Sequence, residues 1–391
     1  MKPASLPEPV LYILGRCDDR LWGKTPAERL ARQFAGVGVS RAVSRDEARG
    51  HGGQVIVARA DAVLDQPLAA ILAHRPNLAL IGQGPDASSP VAANVSPEGL
   101  DAAAAWLLAG KDLGAAPPTL EVRAPADLEA SFWKGLRKRQ TPYAFVVAPG
   151  NRDAVEWRMF MGTYKGATDF ITKHVWPWPA YYATRLLASL GVTPNPVTLV
   201  AAALTVAAFF LFLNGAFAAG LVAAWLMTFL DTVDGKRART TLTSSKWGDV
   251  FDHGIDLVHP PFWYWAWAVG LAAAGQGLPG GLFWPVVGVI VIGYVLQRVV
   301  EGIAIKWLGL EIHIWRPIDT WFRQITARRN PNLALLTLAT LLGRPDWGLL
   351  AVAAWTAICL VVHVIQLAQA FAFKRHNGPL ISWMEMSAAS K

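Results

Sequence analysis

The sequence predicts two parts of different fold class. Residues 1–150 alternate short apolar runs with helical patterns, which predicts an α/β domain with a mostly parallel sheet. Residues 191–391 contain six hydrophobic segments, the fifth of them short, which predict an all-α domain of six transmembrane helices. The chain of 391 residues is 53% hydrophobic and only 16% charged, whereas about a quarter of the residues in soluble domains are charged. We therefore expect an integral membrane protein that begins with a soluble domain.

Charge and cysteine content indicate which partners and which cellular compartment suit this protein. The 36 Lys and Arg residues outnumber the 28 Asp and Glu residues, and most of this surplus falls after residue 150. In a membrane domain such a surplus suits anionic lipids and phosphorylated substrates rather than nucleic acid. The two cysteines, Cys17 and Cys359, lie far apart in the sequence. No disulfide framework is expected, as is usual for a domain that faces the cytosol.

The expected elements of the first domain follow from its hydrophobic periodicity. Short apolar runs predict buried strands at VLYIL, VIVARADAV, LALIG and YAFVVAP. The intervening segments predict helices at TPAERLARQFA, PLAAILAHR and GLDAAAAWLLA. Strands that alternate with helices in this way favour parallel pairing through helical crossovers.

A polar loop, GRCDDRLWGKTPAERLAR, follows the first strand, where parallel sheets commonly bind ligands. It resembles the opening of the nucleotidyltransferase fold at Arg20, Lys24 and Pro26. Ala27 and Glu28 stand where that fold places its lysine. Asp61 falls where such enzymes keep a metal-binding aspartate, although an aspartate at a strand end often serves as a turn or cap. The resemblance predicts a degenerate, non-catalytic nucleotidyltransferase-like domain over residues 1–150.

Residues 151–190 are expected to link the two domains as an amphipathic helix on the inner membrane surface. Basic and apolar residues recur there at helical spacing, and aromatic residues would lie at the headgroup level, namely Trp176, Trp178, Tyr181 and Tyr182. A soluble helix packed on the first domain explains the same pattern. The membrane domain is then expected to begin with Asn195 as N-cap and Pro196 at the first helical position.

Six membrane spans are predicted, at residues 196–214, 216–233, 249–274, 281–305, 331–343 and 346–373. Lys and Arg residues concentrate between spans two and three, between spans four and five, and after span six. Since positive charge marks the cytosolic side, both chain termini and the second–third connection are expected to face the cytosol. This orientation, in a cell inner membrane, would give water-soluble nucleotides access to that connection.

The most informative stretch, DTVDGKRARTTLTSSKWGDVFDHGID, joins the second and third spans. Within helices, Asp231 and Asp234 share one face at i, i+3, and Asp252 and Asp256 share one at i, i+4. Two facing helices would bring the four carboxylates together. An all-carboxylate cluster suits Mg²⁺ or Mn²⁺ rather than zinc. Arg239 is suited to bind phosphate in a bidentate fork.

The fixed residues of this stretch form the pattern D-x-x-D-G-x-x-A-R, eight residues, then G-x-x-x-D-x-x-x-D. The pattern resembles the signature of the CDP-alcohol phosphotransferase family at all eight positions, which are Asp231, Asp234, Gly235, Ala238, Arg239, Gly248, Asp252 and Asp256. A polar loop that caps two helices, or intramembrane acids of an ion transporter, would explain the carboxylates. Neither alternative requires the glycines, the alanine and the arginine at these offsets.

The resemblance implies roles for individual residues. The two-metal site of Mg²⁺ or Mn²⁺ would be held by Asp231, Asp234, Asp252 and Asp256, and Asp256 would also act as the catalytic base. The nucleotide would be bound by Asp231, Gly235, Ala238, Arg239 and Gly248. The acceptor phosphate would be bound by basic residues near the cytosolic mouth, namely Arg298, Arg316 and Arg323, although each also suits a lipid-facing position.

The implied reaction transfers a phosphoalcohol from a CDP-alcohol to the hydroxyl of a second alcohol and releases CMP. The expected donor is CDP-diacylglycerol and the expected acceptor is a small alcohol or polyol phosphate, within phospholipid biosynthesis. By the same resemblance the chain is expected to form a homodimer among membrane lipids. Fused proteins of this kind leave a second interpretation open, in which an active first domain makes a polar donor such as CDP-inositol.

Overall fold

The computed structural model describes residues 7–83, 89–110, 116–128, 132–192, 194–243 and 246–386. Within these ranges, the side chains of residues 134, 194, 246–253, 255 and 256 fall outside the description. The chain divides into two compact units. The first comprises Met1–Tyr164 with Arg239–Thr243, and the second comprises Lys165–Ala238 with Ser244–Lys391.

The first unit is an α/β structure. Its described strands are β1 Val10–Leu14, β2 Val55–Arg59, β3 Ala62–Leu64, β4 Leu78–Ile81, β5 Pro90–Val95, β6 Glu121–Arg123, β7 Phe132–Trp133, β8 Lys138–Arg139 and β9 Ala144–Val146. Its described helices are α1 Pro26–Ala35, α2 Arg45–Arg49, α3 Gln66–His74, α4 Leu100–Ala109 and α5 Arg152–Gly162. The predicted VIVARADAV strand is two strands, β2 and β3, separated by a turn.

The main sheet is mixed, so the prediction of a mostly parallel sheet was wrong. Its strand order is β1-β2-β5-β4-β6. The β1/β2 and β4/β6 pairs are parallel, whereas β5 lies antiparallel to both of its neighbours. The connection between β4 and β5, residues 82–89, is too short for a parallel crossover, which needs a dozen or more residues. Burial between two strands stabilises β5, whose Ala- and Asn-containing sequence has low strand propensity.

Apolar cores cover both faces of this sheet. On one face, Leu30 of α1 and Leu68 of α3 pack with Ile56 of β2. On the other face, Leu100 and Leu107 of α4 pack against the neighbouring residues of β1, β2 and β5. Because strand side chains alternate between faces, one sheet serves both cores. The first unit is therefore a three-layered α/β structure.

The predicted linker contains two α-helices rather than one. Helix α5 belongs to the first unit, and α6, Pro177–Ser189, belongs to the second. Of the four aromatic residues predicted at the headgroup level, Trp178 and Tyr182 are exposed, as expected there. Tyr181 is buried, and Trp176 packs edge-on against Trp225 and Phe229. Two of the four residues therefore contribute to packing inside the unit.

The second unit is helical. After α6 its described helices are α7 Pro194–Leu213, α8 Phe217–Thr240, α9 Lys246–Ala273, α10 Phe283–Ile303, α11 Pro317–Phe322, α12 Arg329–Leu341 and α13 Pro345–Asn377. A helix lies at each of the six predicted spans. Helix α7 begins at Pro194, so Asn195 lies in its first turn and the prediction of Asn195 as N-cap was wrong.

Among the described residues, four helices are long and apolar enough to cross a membrane. They are Asn195–Leu213, Phe217–Thr240, Phe283–Leu308 and Pro345–Asn377. Helix α12 has 13 residues, which is shorter than the ~20 residues of a spanning helix. Part of α9 falls outside the described side chains. The count of six spans therefore stays a prediction.

Aromatic packing holds the apolar ends of α7, α8 and α9 together. Trp267 is fully buried, and its ring lies 4.9 Å from that of Phe212 and 4.4 Å from that of Phe217. A Cβ atom at Gly270 would lie 1.8 Å from the carbonyl oxygen of Phe212, so only glycine allows α7 and α9 to approach so closely. This packing fixes the helices whose polar ends carry the signature residues.

Candidate active site

Helix α8 continues without a break from its apolar segment into the polar motif. Five signature residues therefore lie on one helix, namely Asp231, Asp234, Gly235, Ala238 and Arg239. All five are partly exposed. The spacing of Asp231 and Asp234 places both carboxylates on one helical face, as predicted from the sequence.

Asp231 forms an ion pair with Arg329, the first residue of α12. The guanidinium Nη2 donates to Asp231 Oδ2 at 2.6 Å, and the two side chains are 19% and 15% exposed, respectively. Partial burial makes such a charge-assisted hydrogen bond stronger than one at the surface. Arg329 thus compensates the negative charge of Asp231 and restricts the direction of its carboxylate.

Two asparagines fix the start of α12 and therefore the position of Arg329. The Asn330 side chain donates to Asp169 Oδ1 at 3.0 Å, and the Asn332 side chain donates to the Tyr264 hydroxyl at 2.9 Å. Both asparagines are at least 96% buried. Buried, hydrogen-bonded side chains have few alternative rotamers, so the two asparagines restrict movement of the α12 start and of Arg329.

Asp234 is oriented by a residue of the preceding helix. The Thr198 hydroxyl on α7 donates a short hydrogen bond to Asp234 Oδ2. Thr198 follows Asn195 and Pro196, where the sequence predicted a helix start. A hydroxyl donor next to a carboxylate fixes the direction of the other acceptor sites, which is a frequent property of metal ligands.

Helix α9 carries the second half of the signature, with Gly248, Asp252 and Asp256 in its first half. The side chains of these residues lie outside the described part of the structure. Among the side chains that are described, no three His, Cys, Asp or Glu residues gather closely enough to hold a metal ion. The described part of the candidate metal site is therefore the Asp231 and Asp234 pair with its supports.

A second polar cluster surrounds Glu301 near the end of α10. Its carboxylate accepts a hydrogen bond from Arg328, pairs with Arg298 at 2.8 Å, and contacts His313 Nε2 at 2.9 Å. His313 is 2% exposed, and burial lowers its pKa to about 3, so its imidazole is neutral at pH 7. One carboxylate thus faces two permanent cations, which leaves the cluster positively charged.

Arg323 adds a third guanidinium to this cluster. It is 8% exposed, and its Nε and Nη1 atoms have no hydrogen-bond partner among the described residues. Burial lowers its pKa well below the ordinary value, and Arg328 acts in the same direction, while Asp169 and Glu301 oppose them. Because a guanidinium stays protonated in proteins, this burial favours the binding of an anion beside it.

Arg316, the other arginine predicted to bind the acceptor, is engaged elsewhere. It forms two hydrogen bonds of 2.9 Å to the fully buried carboxylate of Asp319, and a third of 2.8 Å to Gln369. Its guanidinium also lies 4.3 Å from the ring of Trp315. These contacts give Arg316 a structural function in holding the loop before α11. Of the three predicted arginines, Arg298 pairs with Glu301, and Arg323 interacts with it electrostatically.

In the first unit, the polar loop and the predicted metal ligand have structural partners. Glu28 caps α1, since its side chain accepts from the Thr25 N–H at 3.0 Å and its own N–H donates to the Thr25 hydroxyl at 3.2 Å. Asp61 is held by Arg59 through hydrogen bonds of 2.9 and 2.7 Å. Arg20 donates to the carbonyl oxygen of Gly23 at 3.1 Å. Each contact fits a loop that is stabilised without a nucleotide.

Comparison with known proteins identifies the helical part. Residues 191–327 match the family model described as CDP-alcohol phosphatidyltransferase. The chain contains a CDP-alcohol phosphatidyltransferase domain. The match includes all eight signature positions and extends through Arg298, Arg316 and Arg323, whereas residues 1–190 lie outside it.

Two curated proteins are similar to part of the chain. An archaetidylinositol phosphate synthase of Pyrococcus horikoshii is 40% identical over 73 residues, which are 18% of this chain and 38% of that protein. A phosphatidylinositol phosphate synthase of Streptomyces avermitilis is 32% identical over 113 residues, which are 29% of this chain and 44% of that protein. The chain spans about two fifths of the length of each relative.

Sequence reasoning missed several residues around the candidate site. These are Thr198, Glu301, His313, Arg328 and Arg329. Arg328 and Arg329 were interpreted as part of a basic cytosolic stretch, residues 311–330, that suits a phosphorylated substrate or lipid headgroups. The structure shows that they contact Glu301 and Asp231, respectively. Two adjacent arginines directly before an apolar helix were the available signal. Nothing in the sequence pairs Arg328 with Glu301, 27 residues away, or Arg329 with Asp231, 98 residues away.

Proposed function

We propose that the chain is an integral-membrane enzyme that transfers a phosphatidyl group from CDP-diacylglycerol to the hydroxyl of a small alcohol or polyol phosphate and releases CMP. The observation that carries this proposal is the complete eight-residue signature inside the matched domain, on helices α8 and α9. The process served is phospholipid biosynthesis. The four apolar helices suit a substrate that remains in the bilayer.

The described carboxylates fit a divalent cation. Asp231 and Asp234 share a helical face, and each has one oxygen held by a hydrogen-bond donor. With Asp252 and Asp256 they would hold Mg²⁺ or Mn²⁺, because an all-oxygen ligand set suits hard cations. Such ions, when bound, would stabilise negative charge on the reacting phosphates.

The proposed transfer uses Asp256 as the base. The acceptor hydroxyl attacks the phosphorus that the product retains, and Asp256 takes the hydroxyl proton. A new phosphorus–oxygen bond forms, the bond to the CMP oxygen breaks, and CMP leaves with that electron pair. Gly235, Ala238 and Gly248 would leave space for the cytidine nucleotide, and Arg239 would bind its phosphates.

The arginines around Glu301, which we call the arginine cluster, support a phosphorylated acceptor. Arg323 is buried, and two of its nitrogens have no hydrogen-bond partner among the residues that the structure describes. Arg298 and Arg328 both pair with the carboxylate of Glu301. A phosphate would supply the missing hydrogen-bond acceptors and the compensating charge. Both relatives are named for synthases of inositol phosphate lipids, which supports inositol phosphate as the acceptor. We propose Arg298 and Arg323 as phosphate-binding residues.

The proposed organisation keeps a degenerate nucleotidyltransferase-like cytosolic domain over residues 1–150, a juxtamembrane linker over 151–190 and a six-helix membrane domain over 191–391. The enzyme would lie in the cell inner membrane as a homodimer, with both termini and the active site on the cytosolic side. The ion pair of Arg59 with Asp61 supports an inactive first domain, because the guanidinium bonds to both carboxylate oxygens that a metal would need, whereas Arg329 bonds to Oδ2 of Asp231.

Release of CMP by the purified protein tests the proposal. The protein would be incubated with CDP-diacylglycerol and Mg²⁺ or Mn²⁺, with inositol phosphate, glycerol phosphate, inositol or no acceptor. We expect CMP only with metal and an acceptor, and the highest rate with a phosphorylated polyol. Turnover of CDP-inositol but not CDP-diacylglycerol would contradict the lipid donor. Metal flux into proteoliposomes without CMP release would indicate an ion transporter.

A further inference from the structure

A short segment after α13 folds back along the loop that leads into α11. Residues 378–386, which we call the C-terminal strap, begin at Gly378, whose φ of +87° allows the chain to reverse direction after the helix. The strap then runs against residues 312–323, which we call the acceptor loop because they include Arg323, a proposed phosphate-binding residue. The strap lies beyond residues 191–327, the matched part of the chain.

Three hydrogen bonds join the strap to the acceptor loop. The fully buried Ser382 hydroxyl donates to the Ile314 carbonyl at 2.7 Å. The Trp383 backbone N–H donates to the Trp315 carbonyl at 3.2 Å, and its indole N–H donates to the Thr320 hydroxyl at 2.9 Å. Side-chain and backbone groups of the strap therefore both bond to the loop.

Apolar contacts fix the strap on both sides of Ser382. Leu380 is 9% exposed and packs with Leu308, Ile312 and Trp315. Met384 is 4% exposed. Burial of two apolar side chains around a buried hydroxyl makes the strap part of the folded unit.

The contacts continue from the strap to the arginine cluster. Thr320, which receives the indole N–H, donates its own hydroxyl hydrogen to the His313 carbonyl at 2.8 Å. His313 in turn contacts Glu301 at 2.9 Å. Arg323 follows at the end of α11, where its backbone N–H donates to the Asp319 carbonyl at 3.0 Å. The loop backbone that the strap holds therefore carries the side chains at the cluster.

We propose that the C-terminal strap, through Ser382 and Trp383, positions the acceptor loop for binding of the phosphorylated acceptor. This inference rests on the proposed function, because it assigns the arginine cluster to the acceptor phosphate. Ser382 and Trp383 are positioning residues that act through His313 and Arg323. The donor nucleotide is bound by the α8–α9 signature, so the strap sets affinity for the acceptor only.

Ser382→Ala tests the proposal with a small change. Loss of this buried hydrogen bond is expected to raise the KM for inositol phosphate about fivefold. The kcat and the KM for CDP-diacylglycerol stay within about twofold of wild type. Ser382→Thr keeps the hydroxyl and should restore the acceptor KM. Ile381→Ala is the matched control, because Ile381 belongs to the same strap but is 56% exposed.

An unchanged acceptor KM in Ser382→Ala, or an equal rise in both KM values, would overturn the proposal. A readout independent of turnover is hydrogen–deuterium exchange of the backbone amides of residues 312–323 in the full-length protein. We expect faster exchange there in Ser382→Ala and wild-type exchange in Ile381→Ala. Wild-type exchange in Ser382→Ala would overturn the proposed function of the strap, whether or not the protein releases CMP. Failure of the wild-type protein to release CMP would contradict the proposed function of the enzyme, which is a separate result.

Discussion

Arg329 donates from Nη2 to Asp231 Oδ2 at 2.6 Å and joins the start of α12 to the first carboxylate of the signature. The preceding residue, Arg328, donates to Glu301. Two adjacent arginines therefore contact the candidate metal site and the candidate acceptor site, respectively. A shift of the α12 start would move both arginines and would therefore alter both sites together.

Arg329→Met is expected to lower kcat/KM for CMP release about 10- to 100-fold, the range seen when a partner of a metal ligand is removed. The reason is that Asp231 loses the donor that orients it. Arg344→Met is the control, because Arg344 follows the other end of α12 and pairs with Asp346. Equal activity of the two variants would contradict a function for the Arg329–Asp231 pair.

Thr198→Val removes the hydroxyl that donates to Asp234 and keeps the side-chain volume. Hydrogen bonds to charged groups contribute about 1.5–3 kcal/mol, so we expect the Mg²⁺ concentration for half-maximal activity to rise about tenfold. Thr205→Val on the same helix is the control, since its hydroxyl donates to the Ala201 carbonyl of its own helix. A Mg²⁺ titration of all three proteins makes the comparison. An unchanged Mg²⁺ requirement in Thr198→Val would exclude the hydroxyl from metal binding.

Arg323→Lys and Arg316→Lys are expected to have different effects. A lysine cannot reproduce a bidentate guanidinium contact, so Arg323→Lys should raise the KM for inositol phosphate about tenfold and leave the donor KM unchanged. Arg316→Lys should lower the thermal midpoint, because it breaks the contacts with buried Asp319. Kinetics and thermal unfolding of the detergent-solubilised variants measure both effects. A larger rise in acceptor KM for Arg316→Lys would reverse our assignment.

His313 predicts a pH dependence of stability. Its pKa is about 3 in the folded protein and about 6.5 in an unfolded chain. Between these values the unfolded state binds the extra proton, so stability falls as the pH is lowered, by about 2 kcal/mol from pH 7 to pH 5. His313→Gln should lose less stability over this interval, whereas His376→Gln, at an exposed position, should behave as wild type. Thermal midpoints at pH 7 and pH 5 measure the difference.

The first domain is expected to be inactive as a nucleotidyltransferase. The full-length protein, incubated with CTP, Mg²⁺ and inositol phosphate, should release no pyrophosphate. Asp61→Asn should leave CMP release from CDP-diacylglycerol unchanged, because Arg59 already occupies that carboxylate. Pyrophosphate release that Asp61→Asn abolishes would instead support an active domain that supplies CDP-inositol.

Local patterns predicted the elements of the fold better than their pairing. Helix α1 and strands β1 and β4 match the predicted segments closely, because periodicity and capping signals lie within a few residues. The antiparallel insertion of β5 was missed because Ala and Asn have low strand propensity, and burial between β2 and β4 decides their conformation.

The site shows the same limit. The signature predicted that Asp231 and Asp234 share a face of one helix, since that depends only on helical spacing. It did not predict the ion pair of Arg329 with Asp231, the hydrogen bond of Thr198 to Asp234 or the ion pair of Arg316 with Asp319. Each of these contacts depends on packing or on loop geometry. The number of membrane spans depends on α12, whose length leaves it undecided by periodicity.

CMP release by Asp256→Asn tests the central claim most directly. Asparagine keeps the size of the side chain but cannot accept the hydroxyl proton, so the rate with CDP-diacylglycerol and inositol phosphate should fall at least about 100-fold. Asp249→Asn, on the same helix but outside the signature, should retain most of the wild-type rate. An undiminished rate of CMP release in Asp256→Asn, with wild type active under the same conditions, would contradict the assignment of Asp256 as the base of the transfer.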